Sequence, residues 1–187
     1  MLKYIDETGM YLEINGFRKV EIGDPTNFLK DLRRLVPKGN FVQFFDAELI
    51  ATWQHLYFAA LNALLAFKDG NNISKTAQME IVLYSAAQRQ IEKAIKAVGL
   101  RQKSSDIAIL VAGEDPSSVK DLLYAISNRI GKDPDEAVLE LTKEKIQKIR
   151  ELFKISDAEI EAVLETDLEK ALINLIIERM ALLVTQI

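Results

Sequence analysis

The chain has 187 residues, of which 49% are hydrophobic and 28% charged, with a net charge of −4 and no cysteine. This composition is typical of a folded globular protein, and the missing cysteine excludes disulfides, thiol catalysis and cysteine-ligated metal centres. No run reaches the roughly 18 apolar residues of a membrane span, and acidic residues interrupt the N-terminal stretch where a signal peptide would be apolar. We therefore expect a soluble, cytoplasmic protein that contacts no membrane.

The first predicted element is a β-hairpin over residues 10–22. Apolar and polar residues alternate on both sides of Asn15-Gly16, and both turn residues tolerate positive φ. Two further strands are predicted over 41–45 and 106–112. We predict helices over 25–35, 47–68, 76–87, 89–98, 116–130, 134–153 with a break near Thr142, 157–164 and 167–184.

Several helix starts carry recognisable capping signals. An Asp-Pro pair predicts an N-cap followed by proline in the first turn, where the missing N–H has no cost. Such pairs occur at Asp24-Pro25, Asp115-Pro116 and Asp133-Pro134. Capping boxes are predicted from Ser156 to Glu159 and from Thr166 to Glu169.

Strands cluster early in the chain and helices late, with one strand near 106–112 between them. This order predicts an α+β fold in which several helices cover a small, mostly antiparallel sheet, with a helix-rich C-terminal part. We expect a single domain over 1–187, within which 132–187 is a candidate helical subdomain.

The residues offer little for catalysis. His55 is the only histidine and lies in an apolar helix, so we interpret it as a packed side chain. The eight glycines form neither a dinucleotide-binding motif nor a phosphate-binding loop. We therefore predict no catalytic residue, no metal, no cofactor and no small-molecule substrate. An enzyme that uses Glu80 or Arg89 is a remote alternative.

A local basic segment suggests binding to an anion. Residues 86–103 hold five basic side chains against Glu92. Arg89, Lys93 and Lys96 form one stripe of the predicted helix, and the opposite side carries Ile91, Ala94, Ile95 and Val98. Upstream, residues 72–76 begin another helix with hydroxyl groups, a lysine and backbone N–H groups, which together predict an anion site. A solvated basic face is the alternative.

The C-terminal helix has more apolar residues than one buried stripe requires. One stripe consists of Leu168, Leu172, Leu175 and Leu182, and the other of Ile173, Ile176, Ile177, Met180 and Val184. Two stripes indicate either full burial or a second surface shared with a partner. The position at the end of the chain favours the partner.

Many short motifs between His55 and Leu100 are shared with one family. They are His55-Leu56-Tyr57-Phe58-Ala59-Ala60, Ala63-Leu64, Asn72-Ile73-Ser74-Lys75-Thr76, Glu80-Ile81, Arg89-Gln90-Ile91, Lys93-Ala94-Ile95 and Val98-Gly99-Leu100. In this stretch the chain resembles the PRPK-binding protein family, the small kinase-associated subunit of the KEOPS complex. It departs from the family pattern at Ala86-Ala87, where relatives are expected to have a glycine.

The resemblance implies a non-catalytic, regulatory subunit of the complex that installs threonylcarbamoyladenosine in tRNA. Such a subunit binds the atypical kinase/ATPase of KEOPS and, in archaea, the 3′ CCA tail of tRNA. A protein–protein adaptor that regulates a kinase without contacting RNA is the alternative. Tyr84 or Ile73 is expected to contact the RNA bases. The predicted kinase-binding residues are Ile173, Ile176, Ile177, Met180, Leu183 and Val184. The predicted tRNA-binding residues are Lys68, Lys75, Thr76, Arg89, Lys93, Lys96 and Arg101.

Overall fold

The computed structural model describes residues 1–163 and 167–185, without the side chains of Val184 and Thr185. The strands are β1 (Leu2–Ile5), β2 (Met10–Phe17), β3 (Phe41–Asp46) and β4 (Ile107–Gly113). The helices are α1 (Pro25–Arg33), α2 (Trp53–Lys68), α3 (Ala77–Ser85), α4 (Ile91–Val98), α5 (Pro116–Ile130), α6 (Lys143–Phe153), α7 (Asp157–Val163) and α8 (Leu168–Ala181). Single 3₁₀ turns lie at Ala47–Leu49, Glu136–Leu139 and Leu182–Thr185. Among the described helices, none is both long enough and apolar enough to span a bilayer.

The four strands form one sheet in the order β1-β2-β4-β3, and every neighbouring pair is antiparallel. The helices make up most of the second half of the chain. The predicted α+β fold, with its antiparallel sheet and helix-rich C-terminal part, is confirmed.

The chain divides into two compact units. Unit 1 consists of Met1–Ala47 and Gly99–Leu139, and it holds the sheet, α1 and α5. Unit 2 consists of Glu48–Val98 and Glu140–Ile187, and it holds the other six of these helices. The single domain over 1–187 stays a prediction.

The core of unit 1 lies on one face of the sheet. Strand residues two apart point to the same face, so Ile107, Ile109 and Val111 of β4 share it with Phe17 of β2. This face is covered by α1 and α5, whose buried residues include Leu32, Val119, Leu122 and Ile126. Helix α5 begins as predicted, because the Asp115 carboxylate accepts a hydrogen bond from the Ser118 N–H and Pro116 occupies the first turn.

The hairpin predicted around Asn15-Gly16 is wrong. Strand β2 continues through both residues, and the chain instead turns between β1 and β2, where Gly9 has φ +69°. Gly16 is needed for close packing: a Cβ atom there would lie 2.7 Å from Cβ of Val138. Its carbonyl also accepts a hydrogen bond from the Asp135 N–H at 2.8 Å. Glycine is therefore required here by contact with a segment about 120 residues further along the chain, and not by a local turn.

The helix predicted over 134–153 does not begin at Asp133-Pro134, whereas the predicted break near Thr142 and the helix that follows it are confirmed. The chain forms only a 3₁₀ turn over Glu136–Leu139, and α6 begins after Thr142, whose hydroxyl caps it by accepting from the Lys145 N–H. The Asp135 carboxylate instead accepts from the Ala137 N–H and from Nε of Arg18. The hydrogen bond from Arg18 holds the pKa of Asp135 below its ordinary value.

In unit 2, His55 is fully buried and connects three segments. Its Nδ1 accepts a hydrogen bond from the Ala51 N–H at 3.2 Å, so the ring proton resides on Nε2, which donates to the Ser85 carbonyl at 2.8 Å. The edge of its ring packs against Phe153, with the ring centroids 5.5 Å apart. Burial lowers its pKa to about 4. The interpretation of His55 as a packed side chain is confirmed.

Candidate functional site

The basic stripe lies on and just before helix α4. The helix begins at Ile91, so Arg89 precedes it, whereas Lys93 and Lys96 extend from its exposed side. Ala94 and Val98, one turn apart, are fully buried and anchor the helix. The cations are therefore presented to solvent as predicted.

An apolar pair next to these lysines was not predicted to be exposed. Ile91 and Ile95 lie one turn apart on α4 and remain 43% and 45% exposed. Helical periodicity puts them on the same side of α4 as Ala94 and Val98. Of these four residues, only Ala94 and Val98 are covered by neighbouring parts of the protein. Unit 2 thus presents two lysines on the exposed side of α4 and two partly exposed isoleucines toward its buried side, with Ile95 next to Lys96 around the helix.

The segment 72–76 is held from below by a buried carboxylate. Glu80 is fully buried, and its two oxygens accept hydrogen bonds from the Ile73 N–H at 3.0 and 3.1 Å and from the Ser74 N–H at 2.6 Å. Those two donors are occupied, so the predicted anion site keeps only the exposed Lys75 and Thr76 side chains and the remaining N–H groups. Glu80 has a structural role in positioning this segment.

Tyr84 is 2% exposed and cannot stack on an RNA base, whereas Ile73, the alternative residue predicted to contact the bases, is partly exposed. Burial and the Glu80 carboxylate raise the pKa of Tyr84, whereas the Arg89 guanidinium lowers it. The turn between α3 and α4 contains Ala87 in the left-handed region, at φ +46°. A glycine adopts this conformation without strain.

Two of the predicted tRNA-binding arginines already have partners. Nη1 of Arg89 donates to the Leu183 carbonyl at 3.3 Å. Arg101 belongs to unit 1, where its Nη2 and Nε lie 2.6 and 3.1 Å from Oδ2 of the buried Asp46. The other six predicted tRNA-binding residues belong to unit 2, where Lys68 ends α2.

Most apolar side chains of helix α8 are buried. Of the predicted kinase-binding residues, Ile173, Ile176, Met180 and Leu183 are buried within unit 2, so their side chains are not presented to a partner in this conformation. Ile177 is half-buried, and the side chain of Val184 lies outside the described residues. The exposed apolar residues of this region are instead Leu168, which begins α8, and Leu182, just after it, which is 48% exposed.

Arg179 fixes the outer end of α8. Its Nε donates to the Phe153 carbonyl at 2.9 Å, and its Nη2 donates to the Glu159 carboxylate at 2.6 Å. Hydrogen bonds from Ser156 and Arg179 lower the pKa of Glu159 to about 2. The predicted capping box from Ser156 to Glu159 is confirmed, because Glu159 N–H also donates to Oγ of Ser156. Asp167 caps α8, while Thr166 lies outside the described residues.

The described ranges contain no cluster of three or more side chains suited to binding a metal ion.

The sequence of the chain is similar to those of two known proteins. The chain is 34% identical to the regulatory protein Cgi121 of Methanocaldococcus jannaschii over 113 residues, which is 60% of this chain and 70% of that protein. It is 38% identical to the KEOPS complex subunit Cgi121 of Pyrococcus abyssi over 77 residues, 41% of this chain and 44% of that protein. The chain thus spans less than half of the Pyrococcus protein.

A family model described as kinase binding protein CGI-121 matches residues 18–183. This range covers most of both units and includes α4, the segment held by Glu80, and α8. The chain belongs to the CGI-121 family of kinase binding proteins.

Proposed function

We propose that this chain is a non-catalytic subunit of a KEOPS-type tRNA-modification complex, and that it binds both the atypical kinase subunit and the 3′ CCA end of tRNA. The observation that carries the proposal is the family match over residues 18–183. The names of the two relatives, a regulatory protein and a KEOPS complex subunit, support the same role.

The tRNA surface that we propose consists of the lysine side of α4, the two isoleucines that remain exposed at its edge, and the segment held by Glu80. Lys75, Lys93 and Lys96 provide positive charge for phosphate groups. Unstacked bases need an apolar or aromatic surface, and the exposed Ile91 and Ile95 supply it in place of the buried Tyr84. Cations beside an apolar surface are the two components that single-stranded RNA requires.

The kinase surface that we propose is the exposed end of the α8 region, at Leu182 and the half-buried Ile177. Interface energy is concentrated in a few apolar side chains that become buried on binding. Leu182 and Ile177 meet this condition and replace the buried anchors predicted from the sequence, whereas Leu168 lies on the same side of α8 as the buried Leu172 and Leu175.

The absence of catalysis in the proposal is supported by the surroundings of His55 and Glu80, two fully buried ionisable side chains of unit 2. His55 is held neutral between two backbone groups. Both oxygens of Glu80 accept backbone N–H groups. Neither is presented to a substrate, so the chemistry of the complex is left to other subunits.

The test compares tRNA with and without its CCA tail. Wild-type protein should prefer the intact tail, and the Lys93→Glu, Lys96→Glu variant should lose that preference. Arg89 is left unchanged, because its bond to the Leu183 carbonyl would be broken at the same time. The matched control, Lys143→Glu with Lys170→Glu, makes the same change of charge at two exposed lysines elsewhere in unit 2.

Equal affinity of the wild type for both tRNAs would refute the RNA half of the proposal. If the purified kinase subunit still binds and neither tRNA is bound, the chain is a protein–protein adaptor with no RNA contact. Loss of kinase binding on Leu182→Glu, in a variant that stays folded by circular dichroism, would support the proposed kinase surface. Undiminished binding would refute it.

A further inference from the structure

Unit 1 carries a second cluster of positive charge, formed by the end of α1 and the end of α5. Helix α1 ends with Lys30, Arg33 and its C-cap residue Arg34, and Arg129 lies in the last turn of α5. All four side chains are exposed. We propose that this cluster binds the phosphodiester backbone of RNA without regard to its 3′ end. The proposal rests on the proposed function, in which the RNA is tRNA.

The cations of α1 face away from the core of unit 1. At about 100° of rotation per residue, Lys30, Arg33 and Arg34 fall within about 100° of one another on the helix surface. Leu32, which is buried in the core, points to the opposite side. The helix therefore anchors through its apolar face and presents its cations to solvent.

Arg129 joins this cluster from another helix. The two oxygens of Asp31 pair with different guanidinium groups: Oδ1 lies 3.3 Å from Nη1 of Arg34, and Oδ2 lies 3.0 Å from Nη2 of Arg129. One carboxylate thus holds two guanidinium groups close together and balances only one of their charges. Across residues 1–163 and 167–185, Lys30 and Arg33 form no ion pair within the chain.

Two simpler explanations account for only part of this arrangement. Cations in the last turn of a helix interact favourably with its dipole, which explains Lys30 and Arg33 by themselves. The dipole of α5 and the ion pair with Asp31 likewise account for the position of Arg129, but neither provides a counter-charge for Lys30 and Arg33. A solvated face on an acidic protein also gives no reason for positive charge to accumulate at one site.

The chemistry of the cluster favours RNA over a membrane. Three of its four cations are arginines, whose planar guanidinium groups form paired hydrogen bonds with phosphate oxygens. Binding to a lipid surface would also need apolar side chains that insert into the interface. Leu35 is the exposed large apolar residue that follows these cations, and one leucine offers little area for insertion.

The experiment uses the full chain with the Lys30→Glu, Arg33→Glu double substitution. Binding to tRNA that lacks its CCA tail is measured over a series of salt concentrations. Each lost phosphate contact should flatten the slope of log affinity against log salt by about 0.7–0.9 units, so the double variant should lose up to about 1.8. Its relative preference for the intact CCA tail should not change. The control is the Lys143→Glu, Lys170→Glu variant, which should keep the wild-type slope.

Each outcome decides the proposal. A double variant with the affinity and slope of the control overturns it, as does tighter binding of the wild type to vesicles of anionic lipid than to tRNA. If the glutamate variant does not fold, Lys30→Gln with Arg33→Gln should still flatten the slope. If the wild type shows no preference for the CCA tail and the double variant nevertheless binds RNA more weakly, the proposed function fails and this inference stands.

Discussion

Helices α8 and α4 were both expected to bind partners, but their apolar residues differ in exposure to solvent. In α8, which carries two apolar stripes, most of those residues are buried within unit 2, where the helix contacts α2, α7 and the 3₁₀ turn that follows it. In α4, which contacts α3, two isoleucines stay nearly half exposed. The number of apolar residues in a helix therefore does not reveal a partner surface. Whether apolar residues of a helix remain available to a partner depends on which neighbouring elements cover them.

The largest expected effect is on the buried side of α8. Met180→Glu places a charge where the side chain is fully buried, and it should lower the free energy of unfolding by about 3–5 kcal/mol. Urea denaturation followed by circular dichroism measures the change. Leu182→Glu, two residues on and exposed, should stay within about 0.5 kcal/mol of the wild type. Equal stability of both variants would mean that α8 is not buried as described.

The stability of the folded protein should depend on pH through the buried His55. Its pKa is lowered from 6.5 to about 4 in the folded protein, so the unfolded chain takes up a proton first as the pH falls. Stability is complete above pH 6.5 and is lost as the pH falls toward 4, by about 2 kcal/mol between pH 7 and 5. Urea midpoints at a series of pH values, compared with those of His55→Gln, isolate this contribution. A histidine that titrates near 6.5 in the folded protein by NMR would contradict it.

The exposed side of α4 should affect RNA binding and leave stability unchanged. Ile95→Ser removes part of the proposed base-binding surface and should weaken binding of CCA-ended RNA by about tenfold. Leu182→Ser is the matched control, because it makes the same change at a similarly exposed residue of the α8 region. It should weaken kinase binding and leave RNA affinity unchanged. If the two variants weaken the same partner, α4 and α8 do not serve separate surfaces.

The smallest expected effect concerns the turn that orients α4. Ala87 adopts a left-handed conformation that costs a residue with a side chain about 1 kcal/mol relative to glycine. Ala87→Gly should therefore stabilise the protein by up to about 1 kcal/mol, since the added freedom of the unfolded chain offsets part of the gain. Thermal unfolding measures the shift, with Ala86→Gly at a neighbouring right-handed residue as a destabilised control. A lower midpoint for Ala87→Gly would contradict the strained turn.

Local chemistry was enough to predict many of the elements. Asp24-Pro25 and Asp115-Pro116 cap helices as expected, because their hydrogen bonds reach only three residues along the chain. Asn15-Gly16 and Asp133-Pro134 carry equally strong local signals and were misinterpreted. Each is overridden by the same distant contact, in which the segment around Val138 packs against Gly16.

Features of the candidate site can likewise be divided into those predictable from the local sequence and those that depend on distant contacts. The exposure of Lys93 and Lys96 follows from helix spacing and from the cost of burying an ammonium group. The burial of Tyr84 and the occupation of the Ile73 and Ser74 N–H groups by Glu80 depend on three-dimensional packing. The charge cluster on α1 was missed because Arg129, which completes it, lies far away in the sequence.

The alternation of the two units along the chain has a consequence for how their roles can be separated. The chain leaves unit 1 after Ala47, returns at Gly99 and leaves again after Leu139. No truncation from either end yields one unit by itself: removal of residues 140–187 leaves unit 1 with segment 48–98 still attached, and removal of residues 1–47 leaves unit 2 with segment 99–139 still attached. Each such truncation leaves half of the other unit attached without the residues that it packs against. Point substitutions, or excision of 48–98 together with everything after Leu139, are the genetic tools that this connectivity permits.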